Sequence, residues 1–127
     1  EKADIEMERE VSNEKSMRET AEHYYWKEIC DGWHFVNTDS LSIIAERMPP
    51  RTEEDRHFHH KAKQFFYILS GEAVMEFTDH SEILHPGMGV EVFPNEIHQM
   101  KNKSDTDVEF LVISTPKSHG DKALVSE

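Results

Sequence analysis

From residue 41 onward the chain alternates short apolar runs with turn-forming residues. LSIIAERM (41–48), QFFYILSG (64–71), EAVMEFTD (72–79), SEILHPG (81–87), GVEVFPN (89–95), IHQMKN (97–102) and DVEFLVISTP (107–116) are each of strand length. They are rich in β-branched and aromatic residues, and Gly, Pro, Asn or Asp separates them. Pro49-Pro50 closes the first run, and Gly71 is placed for a tight connection between the second and third. No segment of this region sustains a 3.6-residue period, so the pattern predicts an all-β fold, an antiparallel sandwich or barrel. Upstream, HYYWKEICDGWHF (23–35) is aromatic, and Asp31-Gly32 reads as a turn between two Trp-bearing stretches.

Residues 1–22 differ in character: eight acids against four bases, scattered apolar residues and no Pro or Gly. Met7 with Val11, and Glu14 with Arg18, have i,i+4 spacing. The reading is an acidic N-terminal extension over 1–23, helical or disordered, a body over 24–118 and a polar C-terminal tail over 119–127, a surface strap or loose end.

Composition narrows what such a domain can do. A length of 127 residues is one domain's worth. With 14 Lys+Arg against 26 Asp+Glu the formal charge is −12, which argues against nucleic acid and against an anionic membrane surface as partners. No apolar run is long enough for a membrane helix. A single cysteine, Cys30, permits no intrachain disulfide, and a cytoplasmic setting is the expectation. Cys30 has no evident activating base and reads as a structural thiol. Glycine-rich nucleotide loops, H-E-x-x-H and G-x-S-x-G are absent, so nucleotide, zincin and serine-hydrolase mechanisms lack their parts.

The nine histidines are the surplus that needs a role. His57 and His59 form an H-x-H pair, and on an extended segment side chains two apart share a face, so the two can meet one ion. His98 is their partner from a distant run. Three neutral imidazoles with an oxygen donor suit a mid-transition metal. His60 points away from His59; His34, His80, His85 and His119 sit in or near turns, and His23 closes the acidic arm. These six read as surface residues.

The surrounding pattern resembles the two motifs of the cupin superfamily. Its first motif, G-x5-H-x-H-x3,4-E-x6-G, is matched by Arg51, His57, His59, Gln64 and Gly71. Its second, G-x5-P-x-G-x2-H-x3-N, is matched by Gly87, eleven residues before His98, and by Asn102, with Pro94 shifted one place and Asn95 at the internal glycine. The resemblance covers 51–102 and implies a cupin double-stranded β-helix, a jelly-roll-like barrel, with the N-terminal extension added. It implies a divalent transition metal, Fe, Ni, Mn or Zn, held by His57, His59, Gln64 and His98. Arg51 in place of glycine implies a differently built turn before the histidines, whereas Asn95 tolerates the left-handed conformation. Gln64 in place of glutamate leaves the ion its full charge, which weakens metal affinity and makes a bound ion a stronger Lewis acid. Glutamine also occurs in this position in cupins of pectin breakdown, which the chain resembles at the site.

Alternation from Gln64 puts Phe66 and Ile68 inward and Phe65, Tyr67 and Leu69 outward. The apolar outer row implies a cover, either the N-terminal aromatic segment or a second subunit, and a homodimer is expected. From His98, Met100 and Asn102 face inward, and Met75 can face either way. Phe66, Ile68 and Met100 are the candidate walls of a small-molecule pocket, with barrel filling as their other role. Arg47, next to Glu46, is the candidate contact for a substrate carboxylate. Catalytic residues are not identifiable. Two readings of function remain open. One is a metal-dependent enzyme, of dioxygenase or isomerase/lyase type, on a small organic acid, sugar acid or polyketide-like molecule. The other is a non-catalytic cupin that binds or senses a small metabolite. An ionisable side chain in the cavity besides the ligands would favour the first.

Overall fold

The computed structural model describes residues 13–118 and 120–126. Among the described residues twelve strands form two sheets packed face to face. One sheet has the order β1-β2-β3-β11-β6-β9: β1 Glu22–Trp26, β2 Cys30–Asn37, β3 Ser42–Met48, β11 Val108–Thr115, β6 Lys63–Ser70 and β9 Gly89–Val92. The other runs β12-β5-β10-β7-β8: β12 Lys122–Leu124, β5 His57–His59, β10 His98–Asn102, β7 Ala73–Phe77 and β8 Ser81–Leu84, with β4 Thr52–Glu53 also paired to β10. Every pairing is antiparallel. Among the described residues no helix is long and apolar enough to cross a membrane.

Period-two alternation builds the interior directly. Along β6, Gln64, Phe66 and Ile68 are buried while Lys63, Phe65, Tyr67 and Leu69 are exposed. The pairings set Gln64 beside Ser114, Phe66 beside Val112 and Ile68 beside Phe110. The next strand continues these rows, with Val112 beside Ile44, Phe110 beside Glu46 and Val108 beside Met48. In the second sheet Met100 lies beside Met75 and His98 lies between His57 and Phe77. Met48, Ile68, Met75, Met100, Val108 and Phe110 fill one end of the interior, and at most 1% of each is exposed. The inward rows at the opposite end are polar: Ser42, Ser114, Gln64 and the three histidines.

Several turns differ from the sequence reading. The first hairpin turns at Lys27 and Glu28, both with positive φ, and Asp31-Gly32 lies inside β2. A Cβ on Gly32 would lie 2.2 Å from the Tyr24 ring, so any other residue there would push that ring aside. Arg51 takes the left-handed conformation itself, φ 65°, and its guanidinium pairs with Asp105. The turn before the histidines therefore keeps the backbone a glycine would give, with a side chain that reaches out to a carboxylate. Asn95 has φ 68°, as the motif comparison implies. Gly71 has φ 81° with the Asp107 carbonyl 2.3 Å from where a Cβ would sit, so both conformation and space demand glycine.

The stretch 1–12 of the acidic arm lies outside the described residues. Beyond it, Arg18 sits over the Trp33 ring at 4.0 Å and pairs with Glu109 at 2.7 Å. The segment read as a tail carries β12, which pairs with β5. Asp121, just before β12, accepts hydrogen bonds from the backbone N–H of His60, Lys61 and Ala62. A short three-residue strand bearing two histidines is thereby clamped on both edges, by β10 and by the C-terminal strap.

Candidate metal centre

His57 and His59 point inward from β5 because they alternate around Phe58, and His98 joins them across the β5–β10 pairing. Candidate ligand atoms of the three lie within 4.8 Å of one another, and each residue is buried. The ring orientations are set by backbone carbonyls, which can only accept. Nδ1–H of His57 donates to the Asp55 carbonyl at 2.7 Å, and Nδ1–H of His98 donates to the Glu96 carbonyl at 2.9 Å. That fixes the tautomer and leaves both Nε2 atoms with a free lone pair.

Gln64 approaches from the other sheet. Its Nε2 donates to Ser114 Oγ at 3.0 Å, which turns the amide so that Oε1 is left without a partner. His59 Nδ1 and His98 Nε2 are likewise buried and unpaired. Buried polar atoms normally find partners, so orphans on three of these neighbouring side chains mark a place prepared for a cation or a polar ligand. Burial, reinforced by the mutual repulsion with His98, holds His57 down to about 3 and His59 down to about 4, and burial also lowers His98. All three are neutral at physiological pH, the form that binds a metal. The donor set of three imidazoles and one carbonyl oxygen fits a divalent transition ion.

His57, His59 and Gln64 line a cavity of ≈ 160 Å³ with Phe66, Glu46 and Glu54. Tyr24, Glu46, Glu54 and Lys122 also line an adjoining cleft of ≈ 260 Å³. Burial drives Glu46 up to about 7, against the opposing pull of Tyr24 and Lys122. Burial and then the charge of Glu46 drive Glu54 up to about 8. Tyr24 Oη donates to Glu46 Oε2 at 3.2 Å, and Glu54 Oε1 accepts from the Met100 N–H at 2.9 Å.

The residues read as pocket walls divide. Phe66 lines the cavity, with its ring centroid 6.0 Å from that of His98. Ile68 and Met100 are fully buried in the hydrophobic core. Arg47 faces away from Glu46 and is held by Asp31 at 2.6 Å and Asp107 at 3.0 Å. The inward charge on β3 is the carboxylate of Glu46 instead, in phase with Ile44 and the buried Met48. Counting in twos from Met48 selects Glu46 over Arg47. Glu54, Tyr24 and Lys122 carried no such signal, because a loop, the first hairpin and the C-terminal strap bring them in. His34 lies within β2, its ring 5.0 Å from Tyr24, with Nδ1 unpaired. His60, His80, His85 and His23 are exposed, and His119 lies outside the described residues.

Two facing sheets with a histidine cluster between them define a small cupin. Residues 45–114 match the family model for the cupin domain, and the chain belongs to that family. No curated protein matches the sequence. The fold is similar to that of the polyketide cyclase RemF from Streptomyces resistomycificus, with TM-score 0.78 and 15% identity over 91% of this chain and 87% of that one. It is also similar to KdgF from Halomonas sp., with TM-score 0.76 and 13% identity over 84% and 96%. A predicted oxalate decarboxylase from Thermotoga maritima aligns with TM-score 0.73 and 18% identity over 80% and 98%.

Proposed function

We propose that this cupin is a metal-dependent enzyme acting on a small organic acid, sugar acid or polyketide-like molecule, with His57, His59, Gln64 and His98 as ligands of a divalent Fe, Ni, Mn or Zn ion. The three unpartnered buried atoms on His59, Gln64 and His98 carry this reading. With four neutral ligands the ion would act as a strong Lewis acid toward a carbonyl or carboxylate oxygen. Glu46 and Glu54 in the same cavity supply ionisable groups beyond the ligands, which favours catalysis over passive binding. They also favour the isomerase or lyase type over the dioxygenase type, because proton movement needs residues of this kind and no oxygen. A polyketide cyclase and a predicted oxalate decarboxylase among the structural neighbours are in keeping with small oxygenated substrates.

Protein purified without a nickel column is expected to carry stoichiometric divalent metal by elemental analysis, and His98→Ala to lose it. Gln64→Glu should tighten binding by about tenfold or more, since it adds a charged oxygen ligand. Absence of metal in the wild type, with His57→Ala unchanged in stability and ligand response, would sink the assignment.

A homodimer and a cytosolic location belong to the same reading. The first hairpin packs beside β3, at the far side of the sheet from β9, and leaves Phe65, Tyr67 and Leu69 on β6 at 36%, 36% and 47% exposure. A second copy would cover them. Sedimentation equilibrium should report a dimer that Tyr67→Glu disrupts; a monomeric wild type removes the dimer.

A further inference from the structure

The chamber holding the histidines and the adjoining cleft share four residues, Tyr24, Glu46, Glu54 and Lys122. Anything that reaches the histidines from the cleft therefore passes two carboxyl groups, a phenol and an ammonium. These four come from β1, β3, the segment between β4 and β5, and β12, which do not follow one another in the chain. Among the described residues neither carboxylate has a compensating ion pair that would explain its place in the barrel as structural. Glu46 is held by the Tyr24 hydroxyl and Glu54 by a backbone amide, both neutral donors.

We propose that Glu46 and Glu54 are the proton-transfer residues of this site, acting on the carbon next to the carbonyl of a small keto acid whose carboxylate is met by Lys122. The inference rests on the metal-site reading above, and it names the substrate class and the acid and base of that site. Glu46 is the base. Its carboxylate accepts a hydrogen bond from Tyr24, which favours the ionised form, and the neighbouring charge keeps the proton on Glu54. Glu46 removes the α-hydrogen; the C–H electron pair becomes the C=C bond of the enol, and the carbonyl oxygen takes the proton of Glu54. Reversal returns one proton to the same carbon and the other to Glu54, so the sum is hydrogen exchange or inversion at that carbon with no oxidant consumed. The cation site polarises the carbonyl when loaded. The elevated values of about 7 and about 8 for the two acids put one carboxylate and one acid together near neutral pH, as such an exchange requires. The other titratable groups facing the pair are Tyr24, Lys27, Asp55, His57, His59 and Lys122. Lys27 is already paired with Asp55 at 2.7 Å, which leaves Lys122 as the cation lining both chambers among the described residues.

The test uses full-length, metal-loaded protein and 2-oxobutyrate in D₂O, with loss of the C3–H signal followed by NMR. Wild type is expected to exchange one of the two C3 hydrogens selectively, which free metal ion cannot do. Glu46→Gln and Glu54→Gln are each expected to slow exchange by about 100-fold with metal content and fold retained. An activity-independent readout is oxalate, a planar mimic of the enolate, titrated calorimetrically in two buffers of different ionisation enthalpy. Wild type should take up protons on binding oxalate because the added anion raises Glu46; Glu46→Gln should not, and Glu54→Gln should. Metal-loaded wild type that exchanges no C3 hydrogen, or variants that match the wild-type exchange rate and proton uptake, would overturn the proposal while leaving the metal site standing. Failure of the wild type to hold metal overturns both.

Discussion

Asn102→Ala is expected to destabilise the protein by about 4 kcal/mol, read as a shift of the urea midpoint at unchanged slope. Asn102 closes the second motif, yet it lies beyond the histidines and does not line the cavity. Its side chain is 1% exposed. Nδ2 donates to the carbonyls of Met48 at 2.8 Å, Pro49 at 3.1 Å and Thr106 at 2.8 Å. Oδ1 accepts from Ser104 N at 2.9 Å and Ser104 Oγ at 2.7 Å. One amide thus ties the end of β3, the Pro49-Pro50 turn and the 103–107 loop to the strand that carries His98. Truncation leaves several of these groups buried without a partner, each at a cost of about 1–3 kcal/mol, partly recovered by water and by Thr52 Oγ1, which already reaches the Pro49 carbonyl. Asn102→Asp separates shape from donor capacity. It keeps the acceptor for Ser104 but sets a carboxylate against three carbonyl oxygens, so it should be at least as destabilising at pH 7 and recover as the added carboxyl protonates. If Asn102→Ala moved the midpoint by less than about 1 kcal/mol, the clamp would be an incidental contact.

The strands of the barrel were legible because their physics is local. QFFYILSG and DVEFLVISTP alternate in phase with burial, and the structure places strands at Lys63–Ser70 and Val108–Thr115; LSIIAERM, whose burial does not alternate, forms the strand Ser42–Met48. The H-x-H pair was legible for the same reason. What local pattern could not carry is what distant segments bring to one place. Lys122 reaches the cavity only because Asp121 anchors the strap to the loop after His59. Tyr24 reaches Glu46 because Gly32 leaves room for its ring. Asp31-Gly32 misled as a turn signal because Asp31 is consumed by His23 and Arg47 inside the strand. The same contact explains Arg47: a guanidinium between two aspartates is spoken for, and the inward neighbour is an acid.

These buried acids and imidazoles make the metal-free protein sensitive to pH in both directions. His57 and His59 sit near 3 and 4 when folded and near 6.5 when unfolded, so between those values the unfolded chain binds more protons and stability falls as pH falls. Glu46 and Glu54 sit near 7 and 8 when folded and 4.5 when unfolded, so the folded chain binds more protons there and stability falls as pH rises. Between pH 4.5 and 6.5 the two slopes oppose each other, giving a broad maximum. Outside it each pair acts alone, with losses of about 2 kcal/mol from pH 4.5 to 3 and about 2 kcal/mol from 6.5 to 8. The depressed carboxylates Asp31, Asp55 and Glu76 add to the acid limb, since their stabilisation is lost as they protonate. Urea unfolding across this range with chelator present should show the dome, and Glu46→Gln with Glu54→Gln should flatten its alkaline limb and leave stability rising with pH between 4.5 and 6.5. Metal changes the balance in a fixed direction. It binds neutral histidines, so protons compete with it below about pH 6.5, and its charge favours the ionised form of the glutamates. At ~1,000 times Kd it adds about 4 kcal/mol to the folded state and moves the maximum upward in pH. An optimum that stays put on metal loading would mean that the ion binds away from these four side chains.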